Sequence, residues 1–138
     1  HHKPVGIMHN RPKAEYGHFL IDMKKDLQRS LMLADAAGIA RDQIILDPGV
    51  GFGKTYEQNL AVLAHLDTFL DFELPLLLAT SRKSVIGLTL DLPVEEREEG
   101  TMVTSVLAAL NHWNMVRVHD VEKNVRALRM TEKIMSLQ

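Results

Sequence analysis

The stretch IILDPGVGFGKT, residues 44–55, indicates the fold class, because a short apolar run passes directly into a polar, glycine-rich segment. Residues 43–46 are too few for a helix and rich in Ile and Leu, which predicts a buried strand. The loop that follows contains Gly49, Gly51 and Gly53, which permit a close approach of the backbone to a ligand. Ligands bind at the carboxyl ends of strands in parallel α/β folds, so this loop is a candidate site.

Three further apolar runs have the same character and predict strands at residues 5–8, 76–79 and 115–118. Apolar residues recur at helical spacing after the first strand, and this run ends at Gly38, a typical helix C-cap residue: Leu20, Met23, Leu27, Leu31 and Ala34. The same period returns within residues 56–63, 102–113 and 121–135. Four strand–helix units therefore follow one another along the chain.

Continuous apolar strands that alternate with helices predict a parallel sheet covered by right-handed crossovers, and hence an α/β fold. Two architectures fit this pattern. Four units resemble half of an eightfold β/α barrel, which usually has about 250 residues. A flavodoxin-like open sheet also suits a chain of 138 residues, although it usually has about five strands. The pattern alone leaves both open.

Composition excludes several classes of protein. The chain has 46% hydrophobic and 25% charged residues, which indicates one globular domain. Its formal net charge of −2 provides no basic field for nucleic acid or an anionic membrane. The longest apolar run, residues 74–79, falls far short of the roughly 20 residues of a membrane span. The absence of cysteine and of a signal-peptide pattern predicts a cytoplasmic protein.

Polar clusters lie at the end of every predicted strand. They occupy residues 8–11, 47–55, 80–84 and 117–120. Because the carboxyl ends of parallel strands meet at one edge of the sheet, all four clusters are expected to open onto one face. The sequence thus predicts a single site built from four loops.

Asp47 is the candidate for ligand recognition at this face. A carboxylate at a strand end can accept two parallel hydrogen bonds from an amino-pyrimidine edge. The alternative is a purely local role, because Asp followed by Pro48 commonly begins a turn. The residues alone leave both interpretations open.

Two nucleotide-binding patterns fail in the glycine-rich loop. A phosphate-binding loop ending in Gly53-Lys54-Thr55 requires glycine at the position of Pro48. The dinucleotide fingerprint G-x-G-x-x-G is not matched by the spacing of the glycines either. A nucleotide triphosphatase is therefore disfavoured.

Four cationic or donor side chains lie at the last two strand ends: Arg82, Lys83, Arg117 and His119. Arginine offers a planar fork, lysine a point charge and histidine a donor that titrates near neutral pH. Together they predict a site that binds phosphate or diphosphate and stabilises it as a leaving group. The alternative for any one of them alone is a solvated strand-end charge. No H-E-x-x-H or Cys/His spacing predicts a metal site.

Three segments together resemble dihydropteroate synthases, a pterin-binding β/α-barrel family. They are ILDPGVGFGKT at residues 45–55, TSRKSVIG at 80–87 and RVHDV at 117–121. The resemblance covers essentially the whole chain in the right order. It implies that residues 1–138 are the C-terminal half of one (β/α)8 TIM-barrel domain, with strands five to eight and their helices.

The resemblance also implies an activity. The family is a transferase of folate biosynthesis that condenses 7,8-dihydropterin pyrophosphate with p-aminobenzoate to give 7,8-dihydropteroate and diphosphate, assisted by Mg²⁺ and inhibited by sulfonamides. A half barrel leaves open sheet edges, and a homodimer is expected. The alternatives are a non-catalytic pterin-binding half barrel and a pterin domain of a folate-dependent methyltransferase.

Roles for individual residues follow from the same resemblance. Catalytic roles are implied for Lys83, Arg117 and His119, with Arg117 and His119 binding the diphosphate. The implied pterin site contains Asp47, Lys83, Met8 and Ala79, and the implied p-aminobenzoate site contains Phe52, Ser81 and Arg82.

The chain departs from the family pattern at Ala79, at Glu98 and at His112-Trp113, the last of which stands where the family usually has small residues before the last strand. Ala79 stands where the family usually has glycine at the floor of the pterin site, so a methyl group there could crowd a backbone contact. Glu98 stands where the family usually has an apolar residue. It belongs to an acidic run, Glu95, Glu96, Glu98 and Glu99, that is expected to form a solvated face in a loop before the third helix.

Overall fold

Strands and helices alternate in the computed structural model, which describes residues 2–138. Its strands are β1 (Val5–Met8), β2 (Ile44–Asp47), β3 (Leu77–Leu78) and β4 (Met115–Val116). Its α-helices are α1 (Phe19–Ala36), α2 (Tyr56–Ala64), α3 (Ser84–Leu90), α4 (Glu98–Leu110) and α5 (Val121–Met135). Short 3₁₀ helices lie at Arg41–Gln43, Leu66–Phe72 and Val94–Glu96.

The strands pair in the order in which they follow in the chain, and all are parallel. β1 pairs with β2 in a register that sets Met8 opposite Asp47, and β3 pairs with β4. A parallel bridge between Leu46 and Leu76 connects the two pairs. A doubly wound sheet contains a point at which the strand order reverses. The order β1-β2-β3-β4 has none, which favours an arc of a barrel over the flavodoxin-like alternative.

The helices bury the faces that their apolar spacing predicts. In α1 the buried residues are Met23, Leu27 and Ala34, and the left-handed Gly38 (φ 75°) follows the helix end. A capping box between Thr55 and Gln58 begins α2 directly after the glycine-rich loop. That cap fixes where the loop ends.

The core lies between the strands and the inner faces of the helices. Its largest fully buried side chains include Phe69, Met23, Leu27, Leu46 and Leu78. Trp113 is also buried, and its indole N–H donates to the carbonyl of Leu66 at 3.0 Å. None of the helices within residues 2–138 has the length and apolar character needed to cross a membrane.

The structure corrects several sequence predictions at the element ends. The second strand ends at Asp47 and not before it, because Asp47 pairs with Met8. The third and fourth strands are shorter than predicted. The predicted third helix spans Glu98–Leu110, and α3 (Ser84–Leu90) was not predicted. The seven residues of α3 are too few to show a helical period clearly.

The acidic run before the third helix was wrongly predicted to be wholly solvated. Glu95, Glu96 and Glu99 are exposed, but Glu98 is only 9% exposed. Glu98 and Glu99 also begin α4 and do not lie in a loop. The burial arises because α4 packs against α5, where Asn124 donates a hydrogen bond to the Glu98 carboxylate at 2.7 Å.

Candidate functional site

The side chains predicted to act on a ligand lie around the carboxyl ends of the strands, which we call the strand-end site. Met8 and Asp47 are the last residues of β1 and β2. The remaining predicted residues belong to the loops after the strands: Phe52, Ala79, Ser81, Arg82, Lys83, Arg117 and His119. The parallel pairing therefore gathers all four predicted clusters on one edge.

Asp47 is a buried carboxylate at this edge, with 6% of the residue exposed. Its Oδ1 accepts the backbone N–H of Gly49 at 2.8 Å. That bond is the local turn expected for Asp-Pro, so the turn interpretation describes part of its role. Gly49 (φ 69°) allows the close packing of this turn on the end of β1, since a Cβ there would stand 1.9 Å from the carbonyl oxygen of His9.

Lys83 crosses from β3 to the glycine-rich loop after β2. Its Nζ donates to the carbonyl of Val50 at 2.5 Å and lies 4.8 Å from the centroid of the Phe52 ring. Burial lowers the pKa of Lys83; the carboxylate of Asp47 opposes this shift and the charge of Arg117 adds to it. Lys83 is therefore electrostatically coupled to both the acidic and the basic side of the site.

Ser81 and His119 form a direct contact between the loops after β3 and β4. The Ser81 hydroxyl lies 2.8 Å from Nδ1 of His119 and accepts the backbone N–H of His119 at 3.1 Å. A small cavity of about 230 Å³ opens beside this contact, lined by Ala79, Ser81, Lys83, Arg117, Val118 and His119. Its lining combines cationic groups with hydrogen-bond donors, which suits an anion.

Arg82 turns toward α4. Its backbone is left-handed (φ 58°), its N–H donates to Oγ1 of Thr101 at 3.1 Å, and its carbonyl accepts from the guanidinium of Arg97 at 2.9 Å. Its Nε lies 3.7 Å from the carboxylate of Glu98. Arg82 does not line the 230 Å³ cavity, so the structure separates it from its neighbours in the sequence motif.

A half-buried hydrogen-bond chain at the glycine-rich loop was not predicted from the sequence. Nζ of Lys54 contacts Nδ1 of His9 at 3.0 Å and donates to the carbonyls of Gly49 and Phe52, each at 2.9 Å. Nε2 of His9 in turn lies 2.9 Å from the carboxylate of Asp26 on α1. The chain ties the loop after β2 to the end of β1.

Burial is the main cause of the lowered pKa values of Lys54 and His9 in this chain. Desolvation lowers the pKa of Lys54 to about 8, with Asp47 opposing the shift and Lys83 adding to it. Desolvation also lowers the pKa of His9, which Asp26 opposes. The pKa of Asp26 is lowered chiefly by its hydrogen bond from Arg11. The signal available in the sequence was a histidine immediately after a strand, but the 17 residues between His9 and Asp26 concealed the pair.

The strand-end site offers one buried carboxylate among several cationic groups. This donor set fits a ligand that carries both a polar heteroaromatic edge and a diphosphate. It does not fit a Mg²⁺ site held by protein alone, which requires several oxygen ligands. Within residues 2–138, no group of three His, Asp or Glu side chains is placed to hold a metal ion.

Comparison with known proteins identifies the family. The family model described as pterin binding enzyme matches residues 1–119 of the chain. The chain belongs to the pterin-binding enzyme family. This assignment agrees with the resemblance carried by the three sequence segments.

Curated relatives of this chain are dihydropteroate synthases. It is 49% identical to the dihydropteroate synthase of Clostridium beijerinckii over 95% of this chain and 49% of that protein. It is 47% identical to the enzyme of Bacillus subtilis over 99% of this chain and 48% of that protein. The chain thus spans about half the length of these relatives.

Solved structures show the same likeness in three dimensions. A dihydropteroate synthase from Clostridium difficile, determined in the presence of pteroic acid, superposes with a TM-score of 0.93 at 43% identity, over 96% of this chain and 51% of that one. The Yersinia pestis enzyme with a pterine–sulfa conjugate superposes with a TM-score of 0.92 at 39% identity. The match covers 98% of this chain and 53% of that one. The chain therefore has the α/β fold of these dihydropteroate synthase structures.

Proposed function

We propose that the protein containing this chain is a dihydropteroate synthase, which joins the methylene carbon of 7,8-dihydropterin pyrophosphate to the amine of p-aminobenzoate and releases diphosphate. The observation that carries the proposal is the pairing of one buried carboxylate, Asp47, with a cationic cavity on the adjacent strand ends. A pterin diphosphate has an edge that donates hydrogen bonds and a polyanionic leaving group, which match these two parts.

On the pterin side, Asp47 accepts the hydrogen bonds of the amino-pyrimidone edge. Lys83 hydrogen-bonds the ring, and Met8 and Ala79 line the pocket. Asp47 and Lys83 are already coupled, because the carboxylate raises the pKa of the ammonium group against the effect of burial. The methyl group of Ala79 is buried and leaves the backbone carbonyl free to take part.

On the leaving-group side, Arg117 and His119 bind the diphosphate. Both border the 230 Å³ cavity, and the bond between Ser81 and Nδ1 of His119 fixes the orientation of the imidazole ring. Positive charge here stabilises the negative charge that develops on the diphosphate oxygen as its bond to the methylene carbon breaks.

The p-aminobenzoate side is formed by Phe52, Ser81 and Arg82. Phe52 is 39% exposed and lies against Lys83, where its ring can border an aromatic substrate. Ser81 lies between this side and the diphosphate side through its contact with His119. An arylamine is already a nucleophile, so holding it in line with the methylene carbon supplies much of the rate enhancement.

The reaction balances without a protein-bound base of unusual strength. The amine nitrogen forms a bond to the methylene carbon while the bond from that carbon to the diphosphate oxygen breaks. The amine loses one proton to solvent, and diphosphate leaves with the electron pair. Mg²⁺ assistance is part of the proposal for the complete protein only, and no step here depends on it.

In the proposal, residues 1–138 are the second half of one TIM-barrel domain, strands five to eight. The sequential parallel order β1-β2-β3-β4 and the coverage of about half of each relative support this assignment. Residue 1 lies outside the described residues. The protein is assigned to the cytoplasm, which suits a chain without cysteine.

A homodimer belongs to the same proposal. An apolar groove of about 440 Å³ lies between α2, α3 and α4, away from the strand-end site, with Leu60, Val103 and Leu107 among its lining residues. Val103 is 58% exposed within the chain, and Leu88 on α3, which does not line this groove, is 65% exposed. Apolar surface of this kind suits contact with a second copy. Sedimentation of the full-length protein tests the dimer.

The deciding experiment is an assay of diphosphate release by the full-length protein with both substrates. Formation of dihydropteroate supports the proposal, and sulfonamides should compete with p-aminobenzoate. Pterin binding in calorimetry without turnover would identify a non-catalytic pterin-binding module. Methyl transfer to a corrinoid would identify a folate-dependent methyltransferase.

A further inference from the structure

Glu98 is a buried carboxylate that the proposed reaction does not use. It is the first residue of α4 and only 9% exposed. Its Oε1 accepts a hydrogen bond from Asn124 at 2.7 Å, whereas Oε2 is buried with no hydrogen-bond partner among residues 2–138. A buried carboxylate oxygen without a hydrogen-bond partner costs free energy. A nearby positive charge is therefore needed to keep the carboxylate ionised.

Arg82 is the cation that faces this oxygen. Its Nε lies 3.7 Å from Oε2, which is beyond a hydrogen bond but within the range of an ion pair. Asp120 also interacts with the charge of Arg82, but that carboxylate already accepts the backbone N–H of Lys123 at 3.1 Å. Among the described residues, Glu98 is the acidic group within ion-pair distance of Arg82.

The surroundings of Glu98 are rigid. Asn124, which is 1% exposed, donates to Glu98 and to the carbonyl of Asp120, and its Oδ1 accepts the hydroxyl of Ser105 at 2.8 Å. All three bonds fix one amide in one orientation. The Glu98 carboxylate is therefore held at a defined place between α4 and α5, from which it can orient a neighbouring side chain.

The backbone of Arg82 is fixed as well, by Thr101 and Arg97 of the same region. What remains free is the side chain, which is 37% exposed. An ion pair at Nε restricts the guanidinium from one side. Within residues 2–138 neither Nη group has a hydrogen-bond partner, so both remain available to a ligand.

We propose that Glu98 is a positioning residue: its carboxylate orients the guanidinium of Arg82 so that the two Nη groups present a fork to the carboxylate of p-aminobenzoate. The ligand chemistry rests on the proposed function, whereas the contact between Glu98 and Arg82 does not. A fixed fork loses less side-chain entropy on binding than a free one. Glu98 thus acts on affinity for the acid and not on the pterin.

The test uses steady-state kinetics of the full-length protein. Glu98→Gln keeps the shape and the bond from Asn124 but removes the charge. The KM for p-aminobenzoate should rise about fivefold, while the KM for the pterin substrate and kcat stay within about twofold. Glu99→Gln is the matched control, since its neighbouring carboxylate is exposed on the same helical turn. It should leave all three parameters unchanged.

A double substitution distinguishes positioning from general packing. In an Arg82→Ala background, Glu98→Gln should have no further effect on the KM for p-aminobenzoate, because the group it positions is gone. An equal effect in both backgrounds, or an unchanged KM in the single variant, overturns the proposal.

A measurement on the unsubstituted protein covers the case in which Glu98→Gln does not fold. In ¹⁵N relaxation of arginine Nε groups, Arg82 should be markedly more ordered than the exposed Arg129 on α5. Equal mobility of the two overturns the inference. This readout requires no activity, so it stands even if the protein proves not to be a dihydropteroate synthase.

Discussion

The Ser81 hydroxyl lies 2.8 Å from Nδ1 of His119 and accepts the backbone N–H of the same residue at 3.1 Å. Two bonds to one histidine fix both its backbone and its ring. The residues are separated by 38 positions in the chain, and the pairing of β3 with β4 brings them together. The contact joins the proposed p-aminobenzoate side of the site to the proposed diphosphate side.

Ser81→Ala should reduce turnover of the full-length protein about tenfold, because the imidazole of His119 loses its fixed orientation. Stability should fall by about 1–2 kcal/mol, the typical result of losing such hydrogen bonds. Turnover and urea denaturation check the two effects. Ser84→Ala, at an exposed neighbouring serine, is the control and should leave both values unchanged.

Asp47→Asn should weaken pterin binding about 100-fold. The amide replaces an acceptor oxygen with a donor, which leaves donors of the pterin edge unpaired in a buried site. Titration calorimetry with a pterin measures the change, and Asp42→Asn, at an exposed position in the 3₁₀ helix before β2, provides the control. Unchanged pterin affinity would remove Asp47 from the site and leave it the turn-forming role alone.

Arg117→Ala should weaken binding of inorganic diphosphate about tenfold with little change in melting temperature, since the side chain is exposed. The same substitution should raise the pKa of Lys83, because the Arg117 charge lowers it. Calorimetry and NMR titration of the lysine Nζ groups measure the two effects. Arg126→Ala, which removes an exposed arginine paired with Glu122 on α5, is the control. A large fall in melting temperature would instead indicate a structural role for Arg117.

Lys54→Met should change how stability depends on pH. The folded protein holds the pKa of Lys54 at about 8, whereas an unfolded chain keeps a lysine near 10.4. Between these values the unfolded state retains a proton that the folded state has lost, so Lys54 makes the free energy of unfolding rise with pH. Below about pH 8 both states are protonated and this contribution levels off.

Urea denaturation at pH 7, 8, 9 and 10 tests this. The stability of the unsubstituted protein relative to Lys54→Met should be constant up to about pH 8 and increase from there to pH 10. Lys25→Met, at an exposed lysine on α1, controls for the loss of one charge. A difference in stability that falls with pH contradicts the lowered pKa of Lys54.

Gly49→Ala should destabilise the protein by about 3 kcal/mol or more. The residue has φ 69°, and an added Cβ would stand 1.9 Å from the carbonyl oxygen of His9, which is backbone and cannot move aside. Gly6→Ala is the matched control on β1, because nothing lies within 4 Å of its added Cβ. Thermal melting of both variants measures the contrast, and similar melting temperatures would show that the turn adapts.

Much of the fold follows from local pattern. The strand at Val5–Met8 was predicted with the correct bounds, and the helices α1, α2 and α5 were predicted close to their observed positions. Period-based prediction succeeds there because each segment is long enough, or apolar enough, to show its own preference. The helix α3 and the observed bounds of α4 were not predicted, because these segments do not show a clear helical period of their own.

In the candidate site too, some features follow from the local sequence and others depend on tertiary packing. Asp47, Lys83 and Arg117 were predicted to lie at one edge because polar residues cluster at the ends of apolar runs, and the structure places all three at the carboxyl ends of the strands. Glu98 was expected in solvent and is buried, since its environment is set by the packing of α4 on α5 and not by its neighbours in the chain.

The sequence by itself determined the alternation of strands and helices, the family, and the strand ends at which charged residues occur. Only the tertiary structure decided which of those residues touch. Lys54 reaches His9 across 45 positions, and Lys83 reaches Val50 across 33. The physical reason is that secondary structure depends on periodicity within a segment, whereas the burial and pairing of charges depend on contacts between segments that are distant in the chain.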